Sequence, residues 1–143
     1  PEQERVELIP AASPAMALVD AAKARQAVEN VIGNALKYSH AGRPVQVSVQ
    51  PGLLEALGPG LAPRPAWQLV IEDEGPGMAP ADLKRIFERF FRADPSCTLP
   101  GTGLGMSLVQ EIMRAHHGHV EVSQVPGRGL RVALSFPAAP CED

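Results

Sequence analysis

Asp73-Glu74-Gly75-Pro76-Gly77 follows Trp67–Ile71, an alternating apolar stretch that reads as a strand. The strand therefore runs out onto a carboxylate followed by glycines at alternate positions. A carboxylate accepts a hydrogen bond from an exocyclic amine, and glycine lets a purine lie against bare backbone. Alone, the stretch reads first as a turn, because Asp, Gly and Pro all favour turns. Two further clusters reverse that reading: Asn30-Val31-Ile32-Gly33-Asn34-Ala35-Leu36-Lys37-Tyr38 upstream and Gly101-Thr102-Gly103-Leu104-Gly105 downstream. In this order they describe one nucleotide pocket.

The upstream cluster belongs to a helix that Asp20 caps and that runs to about Tyr38. At about 100° per residue, Ala24, Val28, Val31, Ile32, Ala35 and Leu36 share one broad arc. Asn30, Asn34 and Lys37 lie together opposite it, with Tyr38 on the border. A merely solvated face would carry Glu, Lys and Arg more often than two asparagines four apart. An amide oxygen of Asn34 suits Mg²⁺, which keeps waters and takes other oxygens from phosphates. Lys37 supplies a point charge toward a phosphate. Tyr38 either stacks on the base or packs beside the helix.

The downstream cluster leads into a helix from about Leu104 to His117, with Leu104, Leu108, Ile112, Val109 and Met113 at helical spacing. Backbone N–H groups at such a start meet phosphate oxygens. Its spacing is G-x-G-x-G after Pro95–Pro100, not the strand and G-x-G-x-x-G of a dinucleotide fold. No G-x-x-x-x-G-K-S/T stretch is present, so a Walker-type loop is excluded. The glycines also fit a hinge, and Arg92–Pro100, without periodicity, is the candidate mobile segment.

Elsewhere, residues 5–9, 16–19 and Val45–Val49 read as strands. Gln50–Pro65 reads as an extended loop in which Leu53, Leu54 and Leu57 form a helical turn. A short helix is expected around Ala81–Phe87, with Gly118 as the left-handed residue that ends the later long helix. Val120–Val122 and Leu130–Phe136 pair as a hairpin around Pro126-Gly127-Arg128-Gly129. Pro137–Asp143 reads as a frayed tail.

The 143 residues suit a single domain, with its core at about 16–137. Apolar content of 45% beside 20% charged residues is ordinary for a soluble globular protein. A net charge of −3 argues against broad nucleic-acid binding. No apolar run reaches the roughly 18–20 residues of a bilayer span, and no signal peptide opens the chain, so direct membrane insertion is not expected. Opening at Pro1, the chain reads as a piece of a longer protein. Cys97 and Cys141 read as free thiols in a reducing compartment. His116, His117 and His119 lack the paired spacing of a zinc module.

Ile86-Phe87-Glu88-Arg89-Phe90-Phe91-Arg92-Ala93-Asp94 concentrates three of the four phenylalanines. It forms a small apolar cluster, and it also closely resembles the F-box of histidine kinases. With the three glycine and asparagine clusters, the chain from about Asp20 to Phe136 resembles the ATP-binding catalytic domain of bacterial sensor histidine kinases. That domain shares a superfamily with DNA gyrase, the MutL repair protein and the ninety-kilodalton heat-shock chaperone.

The resemblance implies an α/β fold: a two-layer sandwich with a mixed sheet of about five strands and three helices on one face. It implies ATP and Mg²⁺ as cofactors, with Asn34 as metal ligand and Asp73 as adenine reader. Asn30 and Lys37 become phosphate-side residues, and Arg92 reaches the phosphates while Arg89 stays at the surface. Gly75, Gly77, Met78 and Tyr38 fall beside the base, and Thr102, Gly103, Leu104 and Gly105 beside the phosphates. A lid would span about Ala93–Gly103, mobile until nucleotide binds. The implied partners are a dimerisation and phosphoacceptor domain of the parent protein and a response regulator. The implied setting is the cytoplasmic side of a bacterial inner membrane that anchors the parent.

Two departures stand out. The family's last glycine motif continues with threonine, whereas Gly129 is followed by Leu130, so a modest nucleotide affinity is expected. None of His40, His116, His117 or His119 has the acidic neighbour of an H-box, so the acceptor histidine is expected elsewhere in the parent. Two rival readings remain. A gyrase-type ATPase needs a glutamate four residues before the metal asparagine, where Asn30 stands, and Glu29 points about 100° away. A nucleotide-binding regulatory module without kinase activity is the other.

Overall fold

In the computed structural model, which describes residues 6–9, 17, 19–39, 42–88, 105–125 and 129–139, the elements follow the sequence patterns closely. Strand β1 (Val6–Ile9) precedes helix α1 (Ala21–Tyr38). Asp20 is extended, and its carboxylate accepts the Lys23 N–H at 3.1 Å, the predicted cap. Two long strands follow, β2 (Val45–Leu54) and β3 (Arg64–Glu72), then a single helical turn, α2 (Pro80–Leu83). Helix α3 (Gly105–Ala115) leads into β4 (His119–Gln124) and β5 (Leu130–Pro137).

Among the described residues the strands form one five-stranded mixed sheet in the order β1-β2-β3-β5-β4. β1 runs parallel to β2, and every other neighbour is antiparallel. Register builds the core directly. Val47, Ile71, Val132 and Val122 make one cross-strand row, and Val49, Leu69, Leu134 and Val120 the next. Ala27, Val31 and Ala35 of α1 and Met106, Val109, Ile112 and Met113 of α3 are buried in the same apolar cluster. Residues one step out of phase form the opposite face: Gln50 bonds Gln68 at 3.0 Å, and Arg131 pairs with Glu72 at 3.4 Å. Helices α1 and α3 thus cover one face, and the fold is the expected two-layer α/β sandwich. No helix among the described residues is long and apolar enough to cross a membrane.

Four local expectations change. Leu53 and Leu54 extend β2 rather than forming a helical turn, and β3 already starts at Arg64. The β1 register ends opposite Ser48, and among the described residues Pro51 is paired on the β3 side, a one-sided position where proline is tolerated. The short helix spans Pro80–Leu83, with turns continuing to Phe87. Ala17 makes an isolated bridge to Ala138, which also donates to the Pro65 carbonyl at 3.0 Å, so the chain stays attached just past Pro137.

The end of α3 is the fourth. His117, not Gly118, takes the left-handed conformation, at φ 57°. The Gly118 N–H bonds Met113 O at 2.8 Å and the His117 N–H bonds Arg114 O at 3.0 Å, which is the Schellman pattern one residue early. Gly118 is required for space, since a Cβ there would collide with the Ser135 carbonyl. Close packing of the turn on β5 therefore displaces the strained conformation onto a histidine.

Candidate nucleotide-binding site

Asp73 is the first residue past β3, with 6% of its surface exposed. Its N–H donates to Leu130 O at 3.0 Å, continuing the β3–β5 ladder by one step. Its Oδ1 accepts the N–H of Gly75 at 3.0 Å and of Leu130 at 3.2 Å. Burying a carboxylate is costly, and charge-assisted bonds from two backbone donors offset that cost. Gly129 makes the arrangement possible. A Cβ there would fall onto Asp73 Oδ1 and lie 2.7 Å from both Asp73 O and Gly75 N.

Gly75 is buried, Met78 is half-buried, and Gly77 is left-handed at φ 74°. The Gln124 carboxamide, at the end of β4, packs on Gly77 where a side chain would otherwise project. Neither Gln124 nor the Leu130 amide was anticipated as part of this site. Backbone donors leave no residue-type signal, and Gln124 shows none in its own pattern. Gly129 is the available clue: in sequence it reads both as a hairpin glycine and as part of the family's last glycine motif, but neither reading says what its missing side chain makes room for.

The polar stripe of α1 meets the start of α3. Asn30, Asn34 and Lys37 are each half-buried. Asn34 Nδ2 lies 3.8 Å from where a Cβ on Gly105 would stand, so its amide flanks the first residue of α3. No acidic residue occupies the first turn of α3, leaving that helix end favourable to anions. Glu29 instead pairs with Arg25 at 2.8 Å, both side chains exposed. Tyr38 closes α1, but its side chain lies outside the described residues. So do Arg92, Thr102, Gly103 and Leu104, and with them the lid expected at Ala93–Gly103.

His116 has a structural use. Its Nδ1 bonds Ile112 O at 2.8 Å, its Nε2 accepts the Asp20 N–H at 2.9 Å, and its ring meets Phe136 edge-on at 6.1 Å. Those partners fix the Nδ1–H tautomer and tie the end of α3 to the cap of α1.

A braced carboxylate at a strand end, an amide-and-lysine flank on α1 and a glycine-started α3 are the polar features that the fold leaves at the margins of its core. The model of the family of histidine kinase-, DNA gyrase B-, and HSP90-like ATPases matches residues 19–140, and the chain belongs to that family. Sensor histidine kinase WalK of Bacillus subtilis is 33% identical over 121 residues, covering 83% of this chain and 18% of that protein. The signal transduction histidine-protein kinase/phosphatase MprB of Mycobacterium ulcerans is 33% identical over 128 residues, covering 87% and 23%. The solved structure of a mycobacterial sensor histidine kinase MprB superposes with a TM-score of 0.72 at 30% identity, covering 98% of this chain and 90% of that one. The chain thus spans less than a quarter of the length of these curated relatives.

Proposed function

We propose that this chain is the ATP-loading half of a sensor histidine protein kinase, presenting Mg²⁺-ATP to a histidine on a separate domain of the parent. The observation that carries the reading is the buried Asp73 carboxylate, fixed through Oδ1 by two backbone N–H groups. In this reading Asp73 accepts a hydrogen bond from the adenine 6-amino group, with Gly75, Gly77 and Met78 alongside the base. Asn30, Lys37 and the α3 start face the phosphates, with Thr102, Gly103, Leu104 and Arg92 completing that end and Tyr38 beside the nucleotide.

The metal fits the donors present. Asn34 offers one neutral oxygen next to a helix start that favours phosphate, and Mg²⁺ needs few protein ligands when phosphates and water supply the rest. Bound there, the ion would neutralise charge on the phosphates during transfer. The γ-phosphoryl leaves ADP and forms a P–N bond to the acceptor imidazole, whose proton goes to a base outside this chain. The phosphoryl group then passes to a response-regulator aspartate. Placement on the cytoplasmic side, with the parent anchored in a bacterial inner membrane, belongs to the same reading. The exposed pairing of Glu29 with Arg25 favours transfer over hydrolysis, because it leaves no glutamate on the Asn34 face to activate water.

Incubated with labelled Mg²⁺-ATP, the isolated chain should bind nucleotide and incorporate no acid-labile phosphate. Adding the parent's acceptor domain should yield phosphohistidine on that domain. Acid-labile label on the chain alone, or no nucleotide binding, would sink the proposal.

A further inference from the structure

The position after Gly129 is a leucine, with no hydroxyl to brace the base-reading carboxylate, yet that carboxylate is fixed. We infer that Gly129 and the backbone N–H of Leu130 are positioning elements that aim Asp73, and that discrimination for a 6-amino purine rests on them. The inference depends on Asp73 being the base reader.

Among the described residues, the Gly75 and Leu130 donors hold Oδ1, and they come from different segments of the chain. Gly75 N–H arrives from the turn that follows β3, and Leu130 N–H from the first residue of β5. Fixing Oδ1 fixes the carboxylate plane, and with it the direction of Oδ2. The third component is the space above Gly129. What calls for glycine is the close approach of Asp73 Oδ1, Asp73 O and Gly75 N to a single point. An added methyl cannot be met by rotating one flexible side chain, because two of the three neighbours are backbone atoms. The turn at residues 73–75 must shift, carrying the carboxylate with it. The Leu130 side chain has no part in this, since the bond is made by its amide.

ADP and IDP separate the outcomes, because IDP replaces the 6-amino donor by a carbonyl and keeps the same diphosphate. The wild-type chain should prefer ADP about tenfold to a hundredfold, the worth of one hydrogen bond to a charged acceptor. Asp73→Asn should bring that ratio close to one. Gly129→Ala should do the same through loss of ADP affinity, with IDP affinity held within about twofold, so that the phosphate end reports a folded pocket. Leu130→Ala should leave the ratio unchanged. Should Gly129→Ala fail to fold, Leu130→Pro removes the Leu130 N–H that braces Oδ1, at the first residue of a strand, where proline is tolerated, and should also collapse the ratio.

Asp73→Asn collapsing the ratio while Gly129→Ala or Leu130→Pro keeps it within twofold of wild type would overturn the positioning role alone. A Leu130→Ala variant that loses discrimination would overturn the assignment to the amide. A ratio unmoved by Asp73→Asn would remove Asp73 as base reader, and the positioning inference with it.

Discussion

Asn34 illustrates how much a single side chain depends on its neighbours. On α1 it is one of three polar residues on a flank, a candidate metal ligand by its amide oxygen, and the fold sets it beside Gly105 at the start of α3. Asn34→Ala should spare the fold, since the residue is half-buried and alanine is the better helix former by about half a kcal/mol. Its effect should fall on the metal. ATP titrated calorimetrically with and without Mg²⁺ should show the wild type gaining affinity from the ion and the variant gaining little. An equal gain in both would remove Asn34 from the metal site. Asp73 makes the complementary point: its acceptor chemistry is readable from sequence, whereas its bracing is not, because Gly75 and Leu130 contribute only backbone.

At the scale of elements, the junction from α3 into β4 is where local preference and packing conflict. A left-handed non-glycine residue costs roughly 1–2 kcal/mol, and His117 bears that cost so that Gly118 can lie against the Ser135 carbonyl. The His117 carbonyl is also anchored, accepting Arg64 Nη1 at 2.9 Å, which links the turn to the start of β3. His117→Gly should therefore stabilise the domain by about 1 kcal/mol. Gly118→Ala should destabilise it by about 1–3 kcal/mol, as overpacking does. Urea denaturation measures both, and a stabilising Gly118→Ala would mean that the turn relaxes without cost. The alternative, reading Gly118 as the left-handed cap, rested on glycine's usual place there. Contact with β5, made by residues seventeen positions onward, moved the cap by one residue.

For the whole molecule, the sheet's inner face and the two long helices form one continuous core, in which Leu134 is fully buried at 0% exposure. Leu134→Ala should cost about 2–5 kcal/mol. Because Leu134 lies opposite Leu69 and Val120 in the central row, the loss should appear as one cooperative transition by both near- and far-ultraviolet circular dichroism. Separate transitions by the two probes would mean that the helices and the sheet melt independently. The proposed nucleotide residues stand at the margins of that core. Asp73 follows the last residue of β3, and Asn34 is on the flank of α1, so the site can be altered with the core intact.

The sequence by itself determined the periodicity of both long helices, the Asp20 cap and the alternation of the strands, and it put forward Asp73, Asn34 and Lys37 as candidate chemistry-bearing groups. These are local properties, set by spacing and side-chain type. It misjudged the length of β2, because Pro51 and Gly52 look like loop residues, whereas the β1 register ends at Ser48 and among the described residues Pro51 pairs on the β3 side. Only the tertiary structure decided which backbone donors hold Asp73, why Gly129 has no side chain, and which residue takes the left-handed turn after α3. Each of those depends on a close approach between segments far apart in the chain, such as the 57 residues separating Asp73 from Leu130. On one side of each contact stand backbone atoms common to all residues, so the residue types there do not name the partner.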